Sequence, residues 1–136
     1  MALLRFIDHV AITVADPERS TQFYDRLFGA QVPFDHAPNG KTLVRTVIIG
    51  GGVQLNIHQQ GNGINLVAAK PTPGSADLCF RFGGTIDEAE DLLKRHEISI
   101  VEGPSRRIDN QGSLAQSVYF HDPDGNLIEL MATDPA

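Results

Sequence analysis

The chain has no tryptophan, a single cysteine, only 7% aromatic residues and no long apolar run. Each shortage excludes something. One thiol, Cys79 in "DLCFRF", cannot form an internal disulfide, which fits a reducing, cytoplasmic setting. Free cysteines are commonly buried, so Cys79 is expected to be a small core residue. No stretch approaches the roughly 18 apolar residues of a membrane span. The N-terminus lacks the pattern of a signal peptide. Seventeen acidic residues outweigh eleven basic ones, for a net charge of −6. That balance argues against nucleic acid as a partner, because non-specific binding needs a basic field. Nucleophile motifs are missing too. There is no G-x-S-x-G elbow, and "GGG" at 50–52 lies between two expected strands, not ahead of a helix.

What is present begins with the stretch 117–131, "SVYFHDPDGNLIELM". It reads as two strands joined by a turn, with Pro123 and Gly125 where chain reversal favours them. Glu129 stands in the middle of an oily second strand. A carboxylate there is costly to bury unless it is paired, hydrogen-bonded or bound to a metal.

The rest of the chain reads in order. "RFIDHVAITVAD" alternates, with Val10, Ile12 and Val14 on one face and His9, Ala11 and Thr13 on the other. Asp16 and Pro17 then open a helix with a stripe of Phe23, Leu27 and Phe28, closed by Gly29. "AQVPF", "TLVRTVII" and "GVQLNIHQ" are expected strands; in the last, Gln54, Asn56 and His58 share a face. A glycine- and proline-bearing linker occupies about 61–74. The pattern then restarts. "ADLCFRF" is a strand with Asp77, Cys79 and Arg81 on one face. "TIDEAEDLLKRHE" is a helix with a capping box at Thr85 and Glu88 and a stripe of Ala89, Leu92 and Leu93. "ISIV" is expected to be a short strand and "EGPSRRIDNQG" a loop.

The two halves superpose. A shift of 68 places His9 on Asp77, and a shift of 73 places Asn56 on Glu129. The expected fold is α+β: two βαβββ modules in tandem, at about 5–60 and 75–134, forming a single domain. Their curved mixed sheets are expected to surround a shared cavity with the helices outside. His9, His58, Asp77 and Glu129 then fall on cavity-facing positions of four strands. Two imidazoles and two carboxylates suit a divalent first-row metal. Tyr119 lies on the same mixed face, where its hydroxyl either meets a ligand or packs. His96 is expected at a helix C-terminus, and His36 and His121 in solvent.

With "IDHVAITVADPERSTQFYDRLFG" at one end and "YFHDPDGNLIEL" at the other, the chain resembles the vicinal oxygen chelate superfamily. That superfamily holds glyoxalase I, extradiol dioxygenases, and the fosfomycin- and bleomycin-resistance proteins. "LNIHQ" and "KPTPGSADLCF" resemble a narrower branch, like glyoxalase-domain-containing protein 5 and the "virulence protein" group. The resemblance implies paired βαβββ modules. It also implies metal ligands at His9, Asp77, Glu129 and the strand carrying Asn56 and His58, with His58 favoured. Asp77 stands where glyoxalase I and the extradiol enzymes usually have His.

Two functions follow. One is a metal-dependent enzyme, lyase or isomerase like glyoxalase I, or dioxygenase-like with Fe(II). Its divalent ion (Zn, Ni, Mn or Fe(II)) chelates a small oxygen-bearing metabolite or thiol adduct and stabilises an enolate or oxyanion. Asp77 or Glu129, whichever is not ligated, moves the proton, and Tyr119 completes the catalytic set. The other is a non-catalytic binding protein of the bleomycin-resistance type. The resemblance also implies a homodimer.

Overall fold

The structure is a computed structural model and describes residues 2–134. The chain divides into two compact units, Met1–Pro73 and Gly74–Ala136. Each is a βαβββ module with one helix and a mixed four-stranded sheet, as the repeat predicts.

The first unit contains β1 (Val10–Val14), α1 (Pro17–Phe28), β2 (Ala30–His36), β3 (Val44–Ile49) and β4 (Val53–Gln59). Its sheet runs β1-β4-β3-β2, with β1 parallel to β4 and the other pairs antiparallel. α1 starts because the Asp16 carboxylate accepts the backbone N–H groups of Glu18 at 3.0 Å and Arg19 at 3.3 Å. It stops at Gly29, whose φ of 73° suits a residue without Cβ. The helix buries Ser20, Thr21, Tyr24 and Leu27. The stripe is thus rotated from the expected one. Tyr24 is fully enclosed, and Phe23 meets its ring edge-on at 5.4 Å. Ile12, Val14, Val47, Ile49, Leu55 and Ile57 complete this core. Each such side chain contributes about 1.5–3 kcal/mol by leaving water.

Arg45 sits on the helix side of this sheet, opposite Ile57. Its guanidinium donates to Glu18 at 2.8 Å, to Asp35 at 3.1 Å and to the Thr21 hydroxyl at 3.2 Å. One side chain therefore ties α1, β2 and β3 together. The hydrogen bond from Arg45 holds the Asp35 carboxyl below its ordinary range.

The second unit contains β5 (Asp77–Thr85), α2 (Ile86–Arg95), β6 (Glu102–Ile108), β7 (Leu114–His121) and β8 (Leu127–Asp134), in sheet order β5-β8-β7-β6. The capping box forms as expected: Glu88 N–H donates to the Thr85 hydroxyl, and the Glu88 carboxylate accepts from Thr85 N–H, both at 3.2 Å. α2 buries Ile86, Ala89 and Leu93, while Leu92 is only half-buried. Val118, Phe120, Ile128 and Leu130 fill the sheet side of the core.

One expected strand is misplaced. Residues 98–101 are not a strand, and the segment expected as a loop supplies β6. β6 is an outer strand, so it needs ladder bonds on one side only. Gly103 and Pro104 are accommodated at a register shift between Glu102 and Ser105. A Cβ on Gly103 would collide with the Ser117 carbonyl, so glycine is needed there. β2 repeats the device: Pro33 lies within a register shift between Gln31 and Phe34.

The closing turn is held by its own side chains. Buried Asp122 accepts the backbone N–H groups of Asp124 and Asn126, each at 3.0 Å, and the Asn126 amide at 2.8 Å. Asn126 in turn accepts the Ala76 N–H at 2.9 Å, which pins the start of β5 to the turn before β8.

Candidate functional site

Each sheet carries its helix on one face, and side chains alternate to the other. On that open face of the second unit, ladder register aligns Cys79 with Glu129, Glu129 with Tyr119, and Tyr119 with Glu102. Four neighbouring strands thus place a thiol, a carboxylate, a phenol and a second carboxylate in a row. Arg107 ties the last two together. Its Nε donates to the Tyr119 hydroxyl at 2.7 Å, and its Nη2 donates to Glu102 at 2.7 Å. The guanidinium carbon lies 5.2 Å from the Tyr119 ring centre. Beside them, Val101, Glu102, Arg107, Tyr119 and Leu127 line a hollow of about 240 Å³.

Charge and burial set the proton positions. The Cys79 thiol is pushed up to about 11, first by desolvation and then by the Glu129 carboxylate. Cys79 is exposed, yet its neighbours partly strip its hydration. Desolvation also raises the Tyr119 pKa, against the pull of Arg107. At neutral pH both groups keep their protons. Because Tyr119 oxygen accepts from Arg107, its own proton remains available to a carboxylate or a ligand oxygen.

The structure corrects the reading of Cys79. It is not a core residue. Strand alternation sends Leu78, Phe80 and Phe82 to the other side, and Cys79 faces outward with Asp77 and Arg81. Arg107 escaped notice because its segment reads as a loop.

The first unit fills the matching positions differently. Ala11 aligns with Asn56, and Asn56 with Thr46. The same shifts of 68 and 73 relate these to Cys79, Glu129 and Tyr119. The Asn56 oxygen accepts from Gln54 at 3.1 Å and from Thr46 at 3.5 Å. His58 lies two residues further on, aligned with Thr13 and Val44, and β4 pairs without any register shift. It is therefore about 7 Å along the strand from Asn56. Burial lowers the His58 pKa. His9 is exposed, one residue ahead of β1, with its Nδ1 2.9 Å from Asp8.

Of the four expected donors, His9 and His58 belong to the first unit, and Asp77 and Glu129 to the second. Among the described residues, no three His, Cys, Asp or Glu side chains gather as a metal-holding group. His36 is exposed and stacks on Phe34; His121 is exposed; His96 ends α2, its N–H donating to the Leu92 carbonyl at 3.3 Å.

The pattern of paired βαβββ modules, with a carboxylate on the last strand, is that of a known class. The chain belongs to the Glyoxalase/Bleomycin resistance protein/Dioxygenase superfamily, whose family model matches residues 6–130. Within it, the chain is 39% identical over 125 residues to virulence protein STM3117 of Salmonella typhimurium, covering 91% of this chain and 81% of that protein. The crystal structure of STM3117 superposes with a TM-score of 0.83 at 36% identity, covering 96% of this chain and 98% of that one. Glyoxalase domain-containing protein RDO1 of Mycosarcoma maydis is 37% identical, covering 98% of this chain and 71% of that protein. The metallothiol transferase FosB of Staphylococcus epidermidis is more distant, 28% identical over 91% of this chain and 79% of that protein. No helix is long and apolar enough to cross a membrane among the described residues.

Proposed function

We propose that the chain is an enzyme acting on a small oxygen-bearing metabolite or thiol adduct, with Glu129 as the residue that accepts and returns the proton. The observation that carries this reading is the half-buried Glu129 carboxylate on the open face, aligned with Cys79 and Tyr119. A carboxylate on the face where a ligand would lie is placed for proton transfer. Tyr119, held by Arg107, is the donor to a substrate oxygen. Asp77, one strand over, is the second carboxylate of the catalytic set.

The donor chemistry also suits a divalent ion, whether Zn, Ni, Mn or Fe(II). Asp77 and Glu129 are the residues of the second unit that would hold it, and the resemblance implies His9 and His58 of the first. His58 has a competing contact, its Nδ1 lying 3.4 Å from the Asn62 amide nitrogen. When bound, the ion would polarise a substrate oxygen as a Lewis acid. The name of FosB, metallothiol transferase, supports this reading.

Protein reloaded with each metal is expected to bind one equivalent by calorimetry. His9→Ala and Glu129→Ala should each abolish that binding while circular dichroism shows the fold retained. Absence of stoichiometric binding by the unaltered protein would remove the metal reading. The binding-protein alternative would then stand, favoured by the uncharged Thr46, Gln54 and Asn56 on the open face of the first unit.

A homodimer belongs to the same proposal. Leu3 and Leu4 are 90% and 88% exposed, and Phe6 and Ile7 are 79% and 78% exposed. Four large apolar side chains within five residues favour cover by a second copy. β1 and β5 are end strands of their sheets. Sedimentation is expected to give twice the chain mass, and a monomer at micromolar concentration would refute this part.

A further inference from the structure

Two small hollows in the first unit share a wall. Both are lined by Thr13, His58, Val67 and Pro71, and they measure about 100 and 70 Å³. β1, β4 and the segment after β4 line them. Neither contains a Lys, Arg, Asp or Glu in its lining.

Asn62 fixes the chemistry of this place. Its Oδ1 accepts the Ile64 N–H at 3.0 Å, and its Nδ2 donates to the Leu43 carbonyl at 3.0 Å. Backbone groups therefore decide which way the amide points. The same Nδ2 lies 3.4 Å from His58 Nδ1. Two N–H groups cannot usefully face each other, so Nδ1 carries the lone pair and the ring proton is on Nε2. The lowered His58 pKa agrees with a neutral ring. Among the described residues, no other protein group bonds the His58 ring or the Thr13 hydroxyl.

An imidazole in this state has its lone pair turned toward Asn62 and an N–H donor left over. Metal binding needs the lone pair, so this ring is arranged for donation. An ionic ligand would lose hydration here without meeting a countercharge. A neutral acceptor loses far less. A hollow of about 100 Å³ is well below the roughly 300 Å³ of drug-sized pockets and admits a group of a few heavy atoms.

We propose that this hollow of the first unit is a binding site which takes a neutral carbonyl group such as a short amide or ketone. Its oxygen accepts from His58 Nε2–H beside the Thr13 hydroxyl, and its carbon chain lies against Val67 and Pro71.

Propionamide titrated into isotopically labelled protein tests this. Shift changes should be confined to Thr13, His58, Asn62, Val67 and their neighbours. Long-range nitrogen–proton spectra should show the His58 proton on Nε2, unmoved when zinc is added. His58→Phe should weaken propionamide binding about tenfold, the loss of one hydrogen bond of about 1.4 kcal/mol. His58→Gln, which keeps an N–H donor, should hold it within about threefold. Propionate and propylammonium should bind more weakly than the amide. A proton on Nδ1, zinc-induced movement of the ring signals, equal binding of propionate, or indifference to His58→Phe would each overturn the proposal. Ion binding at Glu129 is read separately by calorimetry.

Discussion

The two repeats put opposite chemistry at matching sheet positions. Facing the helix, the first carries Arg45 where the second carries Val118, which is fully buried. On the open face the order reverses. The first has Ala11, Asn56 and Thr46, all uncharged; the second has Cys79, Glu129 and Tyr119. One repeat uses its charge to hold its helix, and the other displays it outward. The fold dictates the alternation of faces. It leaves open which face carries a titratable group, and that freedom is where duplicated modules acquire different tasks.

The contrast can be broken most sharply at Glu129. Glu129→Ala should reduce ion affinity by more than the roughly 100-fold lost with a supporting outer residue, while Asn56→Ala changes it less than about threefold. Calorimetry compares the pair directly; equal effects would mean that the repeats share the task.

Next in size is the helix-side difference. Arg45→Ala should destabilise the fold by about 1–3 kcal/mol in thermal melts, because Asp35 and Glu18 lose their partner. The signature is pH. Asp35 has a folded pKa below its unfolded one, so its contribution is present above the ordinary carboxylate range and fades as pH falls through the folded value. Arg45→Ala should flatten that acid limb, whereas Val118→Ala should lower stability equally across it.

Cys79 gives a smaller effect. With its pKa at about 11, alkylation by iodoacetamide should be slow at pH 8 and climb between 9 and 11. Glu129→Gln removes a negative neighbour and lowers the thiol pKa, so a larger fraction is thiolate at pH 8. The alkylation rate there should rise in proportion to that fraction, and an unchanged rate would mean that Glu129 does not act on the thiol.

The smallest effects test where the repeats agree. Asp16→Ala and Thr85→Ala each remove an N-cap and should cost about 1 kcal/mol apiece.

Much of this arrangement is legible in the sequence. Asp16-Pro17, the Thr85–Glu88 box and "DPDGN" carry their own local chemistry, so their structures follow without tertiary knowledge. The shifts of 68 and 73 anticipate the ladder register, because period-two strands allow only slips that preserve facing. Other features depend on neighbours that a linear reading does not supply. An amphipathic stripe is broad, so Tyr24 and Phe23 compete for the same face until the sheet beneath chooses. β6 hides because an outer strand tolerates glycine and proline. Arg107 goes unseen with it, since its meeting with Tyr119 requires that strand. His58 looks like a ligand by composition, and its 3.4 Å approach to the Asn62 amide depends on a loop that a linear reading does not place.

The prolines of β2 and β6 have a further effect. Two four-stranded sheets present four outer margins, and Pro33 and Pro104 spoil one on each. A passing strand finds no continuous ladder there to extend. Growth by strand addition is thereby denied at the β2 and β6 margins, which disfavours fibrous stacking there.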